Sequence, residues 1–142
     1  MNALIIGCGR VGSAVAKTLA REGWTVTCVD EDEDALSRLG NWKGGFVVGH
    51  AIETDILEEA GAGEADAAIV ATDGDNTNLV IGQILQRRYG IGLVVVRVLD
   101  PARAEFYAKL GLRTVCPTQT AISTLTETVL AYEPGVLEGA PI

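Results

Sequence analysis

The stretch that most constrains the fold is Met1 to Gly12. In it a short apolar run, Ala3-Leu4-Ile5-Ile6, leads directly into Gly7-x-Gly9-x-x-Gly12, and a helix-like stretch from Arg10 to Arg21 follows at once. A strand, a glycine turn and a helix in this order form a grip for a pyrophosphate. Gly7 permits the tight turn, Gly9 lets the backbone approach the phosphates, and Gly12 lets the helix sit close on the strand. The anion then faces free N–H groups at a helix N-terminus, where the macrodipole also favours negative charge. Six such residues alone also occur as ordinary glycine-rich turns, so the flanking sequence has to decide.

The second apolar run, Thr25-Val26-Thr27-Cys28-Val29, is rich in β-branched residues, reads as a buried strand and ends in Asp30. An acid about 20 residues past the glycines, at the end of the second strand, is where a ribose diol is accepted. Glu31, Asp32, Glu33 and Asp34 come next. A ribose 2′-phosphate placed beside them would meet several like charges. The expected ligand is therefore NAD(H), or another adenine nucleotide with a free 2′-hydroxyl, in preference to NADP.

A chain of 142 residues suits one domain with a core that is stable without metals or disulfides. Its net charge of −8, with no basic cluster, argues against nucleic acid or an anionic membrane surface as partner. The longest apolar candidate, Leu93 to Leu99, is short and carries Arg97, so no membrane span is expected. The first strand starts almost at Met1 with no charged leader, and the expectation is a soluble, cytoplasmic protein. Cys8, Cys28 and Cys116 have no C-x-x-C spacing and are odd in number, so neither a disulfide framework nor a metal site is indicated. Cys28 and Cys116 read as small core residues in strands. Cys8 lies near a helix N-terminus, which can lower a thiol pKa, so a redox role stands beside an inert one, and the inert one is favoured.

Strand and helix alternate along the rest of the chain. Helices are expected at 31–39, 54–60, from 76 or 77 to 89, at 101–110 and at 118–132, with strands at 46–49, 67–71, 93–99 and 114–116. The acids and amides of Thr72 to Asn76 are expected to cap the helix that follows them, and Asp100-Pro101 to start the next. Such alternation gives a single α/β domain, a three-layer, Rossmann-like, doubly wound parallel sheet of six strands in the order 3-2-1-4-5-6. The loops Gly7 to Gly12, Asp30-Glu31, Gly49 to Ala51 and Ala71 to Asn76 would then meet along one edge. Residues 1–132 form the expected nucleotide-binding domain. Residues 133–142, with Pro134, Gly135, Gly139 and Pro141, read as a flexible tail or linker.

These residues together resemble a known family, the RCK or TrkA-N (KTN) nucleotide-binding domains of Trk and Ktr potassium-transport regulators and of potassium channels. The matching pieces are Gly7-Cys8-Gly9-Arg10-Val11-Gly12, Val29-Asp30-Glu31-Asp32, Gly49-His50-Ala51, Ala71-Thr72-Asp73 with Asn76 and Asn78, and Val96-Arg97-Val98. Pro101 to Gly111 and Pro117 match as well. The resemblance implies a ligand that is NAD(H) or ATP/ADP, with AMP as a smaller variant. It implies a homodimer or higher ring in which the last helix packs on the partner subunit, beneath a membrane potassium transporter or channel subunit. It also implies that Arg10 touches phosphate, Asp30 the ribose and its neighbour Glu31 the same end. His50 and Ala51 would border the adenine, Ala71, Thr72 and Asp73 would close the crevice, and Arg97 would lie near the phosphates. From the residues alone, Arg97 in an apolar strand must reach an anion, and a ligand phosphate and an internal carboxylate are equally open.

The chain departs from the family pattern in three places. His50 stands where an acid is usual, Ile52 where threonine is, and Thr118 where an acid commonly follows the proline. His50 is open to two readings, adenine contact or an exposed loop histidine. A C-terminal regulatory domain common in the family is not seen, which leaves a fragment and a stand-alone nucleotide-sensing module both open.

A small NAD-dependent oxidoreductase is the alternative. It would need a proton donor beside the nicotinamide and room for a substrate. None of Tyr89, Tyr107 and Tyr132 is followed by lysine four residues on, and His50 is the sole histidine. A non-enzymatic regulator is the expectation.

Overall fold

The computed structural model describes residues 1–136. One six-stranded sheet runs through the chain in the order β3-β2-β1-β4-β5-β6, and each neighbouring pair is parallel. The strands are β1 (Asn2–Ile6), β2 (Thr25–Asp30), β3 (Gly45–Val48), β4 (Ala67–Val70), β5 (Leu93–Arg97) and β6 (Arg113–Val115). The helices are α1 (Arg10–Arg21), α2 (Thr54–Glu59), α3 (Asp75–Arg87), α4 (Pro101–Lys109) and α5 (Pro117–Leu130). The doubly wound sheet with the expected strand order is what forms.

β1 is central and nearly wholly buried, and its side chains alternate between two cores. Leu4 and Ile6 join Leu57, Leu79, Ile81, Leu85 and Ala104 under α2, α3 and α4. Ala3 and Ile5 join Ala16, Cys28, Ala35 and Leu39 under α1 and the segment after β2. Three layers result, with the sheet between them.

Local differences from the expected elements have identifiable causes. The short helix expected over 31–39 forms as a 3₁₀ helix, Glu33–Leu39, starting two residues later. Asp30 Oδ1 accepts from the Asp32 amide at 2.9 Å, and Asp32 Oδ1 from that of Asp34, also at 2.9 Å. Carboxylates that take backbone amides two residues ahead compete with the α-helical pattern. β5 stops at Arg97 because the Leu99 and Asp100 amides donate to the carboxylate of Asp75, at 2.7 and 3.0 Å. Asp75 therefore does not cap its own helix, whose N-cap is Gly74 with no side-chain bond. Asp100 does cap α4, accepting from Ala102 N at 3.1 Å. Cys116 packs against the edge of the core but lies just past the end of β6. It is half-buried and caps α5, with Sγ accepting from Gln119 N at 3.4 Å.

No residue of α5 is buried, so this helix does not complete its own sheet. Among the described residues no helix is long and apolar enough to cross a membrane. The expected tail, 133–142, lies from residue 137 onward outside the described residues.

Candidate functional site

The site is built at the C-terminal edge of the sheet, beyond the paired strands β1 and β4, whose following helices α1 and α3 pack on opposite faces. Gly7 leaves β1 with φ +93°, and a Cβ there would lie 2.6 Å from the Ala71 carbonyl oxygen. Gly12 is tighter still, since its Cβ would fall 1.7 Å from Gly7 O. Both positions are closed to any side chain by backbone alone. Gly9 differs, because an added Cβ would meet no protein atom within 4 Å. Its backbone, φ −75° and ψ −155°, is extended and open to any residue. Glycine at position 9 therefore leaves space at the helix mouth that neither folding nor packing requires. Gly9 is the N-cap of α1, no side chain caps that helix, and no acid sits in its first turn. Its leading amides therefore have no side-chain acceptor from the cap.

Asp30 closes one flank. Its Oδ2 accepts the Cys8 amide at 2.7 Å, while Oδ1 takes Asp32 N. A carboxylate offers about four acceptor positions, so about two remain for a pair of hydroxyls. The other flank is organised by Asn78, a residue 1% exposed. Its carboxamide oxygen accepts from Thr72 N at 3.0 Å and from the Thr72 hydroxyl, and its nitrogen donates to the carbonyls of Thr72 and Arg97, each at 3.0 Å. All four hydrogen bonds of the amide group are satisfied inside the protein. Asn78 thus shapes the loop after β4 and is itself withdrawn from ligand.

Arg97 resolves neither fully to a ligand nor to an internal acid. Its Nη2 donates to the Thr72 carbonyl at 2.8 Å and lies 3.8 Å from Asp73, whose carboxylate is fully exposed and weakly held. Its Nε is buried with no hydrogen-bond partner among the described residues. At the mouth, His50 Nδ1 lies 2.9 Å from Glu31 Oε1, both side chains being mostly exposed. The sequence reading considered His50 against adenine or solvent, not against Glu31.

A cavity of about 860 Å³ joins these parts, within the size range of sites for small molecules and cofactors. Gly7, Gly9, Arg10 and Val11 line it from the glycine loop, and Asp30 and Glu31 from the end of β2. His50 and Ala51 line it from the loop after β3, and Ala71, Thr72, Asp73 and Arg97 from the far side. Of the expected ligand residues, Cys8 and Gly12 do not line it. Gly12 is packed beneath the Gly7 carbonyl. The Cys8 side chain is 0% exposed and turns into the core beside Cys28. Its hydrogen bond to Cys28, followed by burial, drives the Cys28 thiol pKa strongly upward, and the Cys8 and Asp30 charges act in the same direction. The inert reading of these thiols is the one their burial supports. Sequence reasoning missed Arg38, which also lines the cavity.

Residues 3–118 of the chain match the TrkA-N domain family. The chain is 42% identical over 116 residues to the Trk system potassium uptake protein TrkA of Streptomyces coelicolor, covering 81% of this chain and 52% of that protein. It is similar to the Kef CTD of Shewanella denitrificans in its AMP-bound form, with a TM-score of 0.77 and 26% identity over 93% of this chain and 83% of that one. The GsuK RCK domain gives a TM-score of 0.75 at 25% identity, covering 92% of this chain and 29% of that one. The chain spans about half the length of the curated relatives it matches, for example 52% and 60% of two of them.

Proposed function

This chain belongs to the TrkA-N domain family, and from that premise we propose that it is a nucleotide-sensing regulatory module for a potassium transporter or channel. The observation that carries the reading is the open space at Gly9, faced by uncapped helix amides and flanked by Arg10. A void that no side chain of the fold needs, lined by donors, suits a phosphate group. The AMP-bound relative supports an adenine nucleotide there. NAD(H), ATP/ADP and AMP are the candidates. Arg10 would hold phosphate, Asp30 the ribose hydroxyls through its spare lone pairs, and His50 with Glu31 the adenine end. Thr72, Asp73 and Arg97 would close the far side.

In this reading no bond is made or broken. A ligand that binds two conformations unequally shifts their populations, and an attached transporter reads the shift. The family membership supports the regulatory role. The coupling itself, a position at the cytoplasmic face of the membrane and the membrane partner are parts of the proposal.

We also place a homodimer contact on α5. Ile122, Leu125 and Val129 fall at i, i+3 and i+7, and Leu125 and Val129 are 67% and 73% exposed. An apolar stripe left bare by its own chain suits burial against a second copy.

Mass spectrometry of whatever co-purifies, followed by calorimetry with NADH, NAD, ATP, ADP and AMP, tests the central claim. Retention of none of them at millimolar concentration would remove it.

A further inference from the structure

We propose that Arg38 is a phosphate-binding residue of this nucleotide site, a role that rests on the nucleotide reading above. Arg38 lies in the last turn of the 3₁₀ helix after β2, in a part of the chain otherwise rich in acids. Its Nη1 donates to the carbonyl of Cys8 at 3.3 Å. Asp30 holds the amide of that same residue at 2.7 Å. The carboxylate and the guanidinium therefore grip the two polar ends of Cys8, and both also line the cavity. A second tie fixes the segment from behind, where Lys17 Nζ of α1 donates to the Arg38 carbonyl at 3.1 Å.

The charge arrangement points the same way. Glu31, Asp32, Glu33 and Asp34 all lie within seven positions of Arg38 in sequence. Even so, no carboxylate among the described residues lies within 4 Å of it. A guanidinium carries five N–H donors in a planar fork, and the Cys8 carbonyl takes one. Among the described residues the others have no hydrogen-bond partner, and the residue lines the cavity. Arg10 and Arg97 line the same cavity, so a chain of net charge −8 gathers three guanidinium groups around one void. Arg38 stands on the Asp30 flank and Arg97 on the flank of Thr72, so a phosphate chain over Gly9 would be approached from both sides. Charge-assisted and geometrically paired donors of this kind are what phosphate oxygens select.

Two phosphates could supply that oxygen, the 5′-phosphate chain common to AMP, ADP and NAD, or a 2′-phosphate as in NADP. Calorimetry of the wild-type protein, Arg38→Gln and Arg38→Lys with adenosine, AMP, ADP, NAD and NADP separates them. The expected result is that Arg38→Gln weakens AMP, ADP and NAD by about tenfold, leaves adenosine unchanged, and is partly rescued by lysine. A loss confined to NADP would assign the contact to the 2′-phosphate and still support the inference. An equal loss for adenosine would overturn it, because Arg38 would then act only by shaping the loop through Cys8. An unchanged affinity for every phosphorylated ligand would also overturn it. If the wild-type protein binds none of the five, the nucleotide reading itself fails and takes this inference with it. Unchanged unfolding midpoints for both variants keep a folding defect from mimicking the result.

Discussion

Asn78 on α3 donates its side-chain amide to the main-chain carbonyl of Arg97 at 3.0 Å, and so pins the end of β5 to the loop that follows β4. The same amide group accepts from and donates to Thr72. Two crossing points of the chain are thereby held by one buried side chain.

That arrangement predicts a large stability cost for Asn78→Leu. The substitution keeps the volume nearly constant but removes the partners of the part-buried Thr72 amide and Arg97 carbonyl, while the Thr72 carbonyl keeps its bond from Arg97. Each stranded group costs about 1–3 kcal/mol unless water reaches it. A total loss of about 3 kcal/mol is expected in urea unfolding, with nucleotide affinity falling as well because Thr72 and Arg97 line the cavity. A loss below about 1 kcal/mol would mean that the loop is held by other contacts.

Gly9 and Gly12 should separate folding from binding. Gly12→Ala would push a methyl group against the Gly7 carbonyl, 1.7 Å away, so backbone has to move. A destabilisation of about 3 kcal/mol or more is expected. Gly9→Ala meets no protein atom and has a permitted φ, so it should cost about 1 kcal/mol at most, from the poorer N-cap. It should nonetheless abolish measurable nucleotide binding, since the methyl enters the space assigned to phosphate. Thermal unfolding and calorimetry on the two variants give the test. A Gly9→Ala protein that binds nucleotide normally would place the phosphate elsewhere.

What could be read from the sequence divides along physical lines. Gly7, Gly9 and Gly12 were legible because backbone geometry is written locally, and strand order followed from alternation and handed crossovers. Asp30 was legible from its place at a strand end. Arg38 was not, because an exposed side chain on a polar turn reaches its partner only through tertiary placement, here over the Cys8 carbonyl. The Glu31–His50 pair was missed for the same reason, as it joins the ends of β2 and β3 across the sheet edge. Asn78 showed as a family-like residue with no visible task. Its four bonds exist only once α3 has packed against the loop after β4. The short helix after β2 was legible from the apolar spacing at Ala35, Leu36 and Leu39, but its 3₁₀ form was not, because the successive aspartate turns that set it depend on side-chain rotamers.

Cys28 predicts a stability change on the alkaline side. Its folded thiol is held neutral, chiefly by the hydrogen bond with Cys8 and by burial, so its pKa lies above the ordinary 9.0. The unfolded chain ionises there while the folded one does not. The contribution is therefore fully present below about pH 9 and is lost as pH rises beyond it, by about 1.4 kcal/mol per pH unit for one proton. Cys28→Ala should lower stability at neutral pH by about 1 kcal/mol from lost packing and flatten the decline above pH 9 relative to wild type. Urea unfolding of both proteins from pH 7 to 10 measures the difference. Parallel curves would show that Cys28 ionises as readily folded as unfolded.

The apolar stripe of α5 predicts assembly. Leu125 and Val129 are largely exposed within one chain, and no residue of this helix is buried against its own sheet. Changing both to glutamate should then leave the unfolding of the single domain nearly unchanged, because no intrachain packing is lost. Between two copies the same changes would bury carboxylates against apolar surface. Burying a leucine or valine fully is worth about 1.5–3 kcal/mol. Removing two on each subunit should weaken dimerisation by at least about a hundredfold. Sedimentation velocity across a concentration series is the measurement, with wild type expected as a dimer and Leu125→Glu/Val129→Glu as a monomer at the same concentration. If the wild-type protein sediments as a monomer throughout, α5 is not a contact between copies of this chain. If instead the double variant remains dimeric, the subunits meet through another face, and the bare stripe on α5 is left for a different protein.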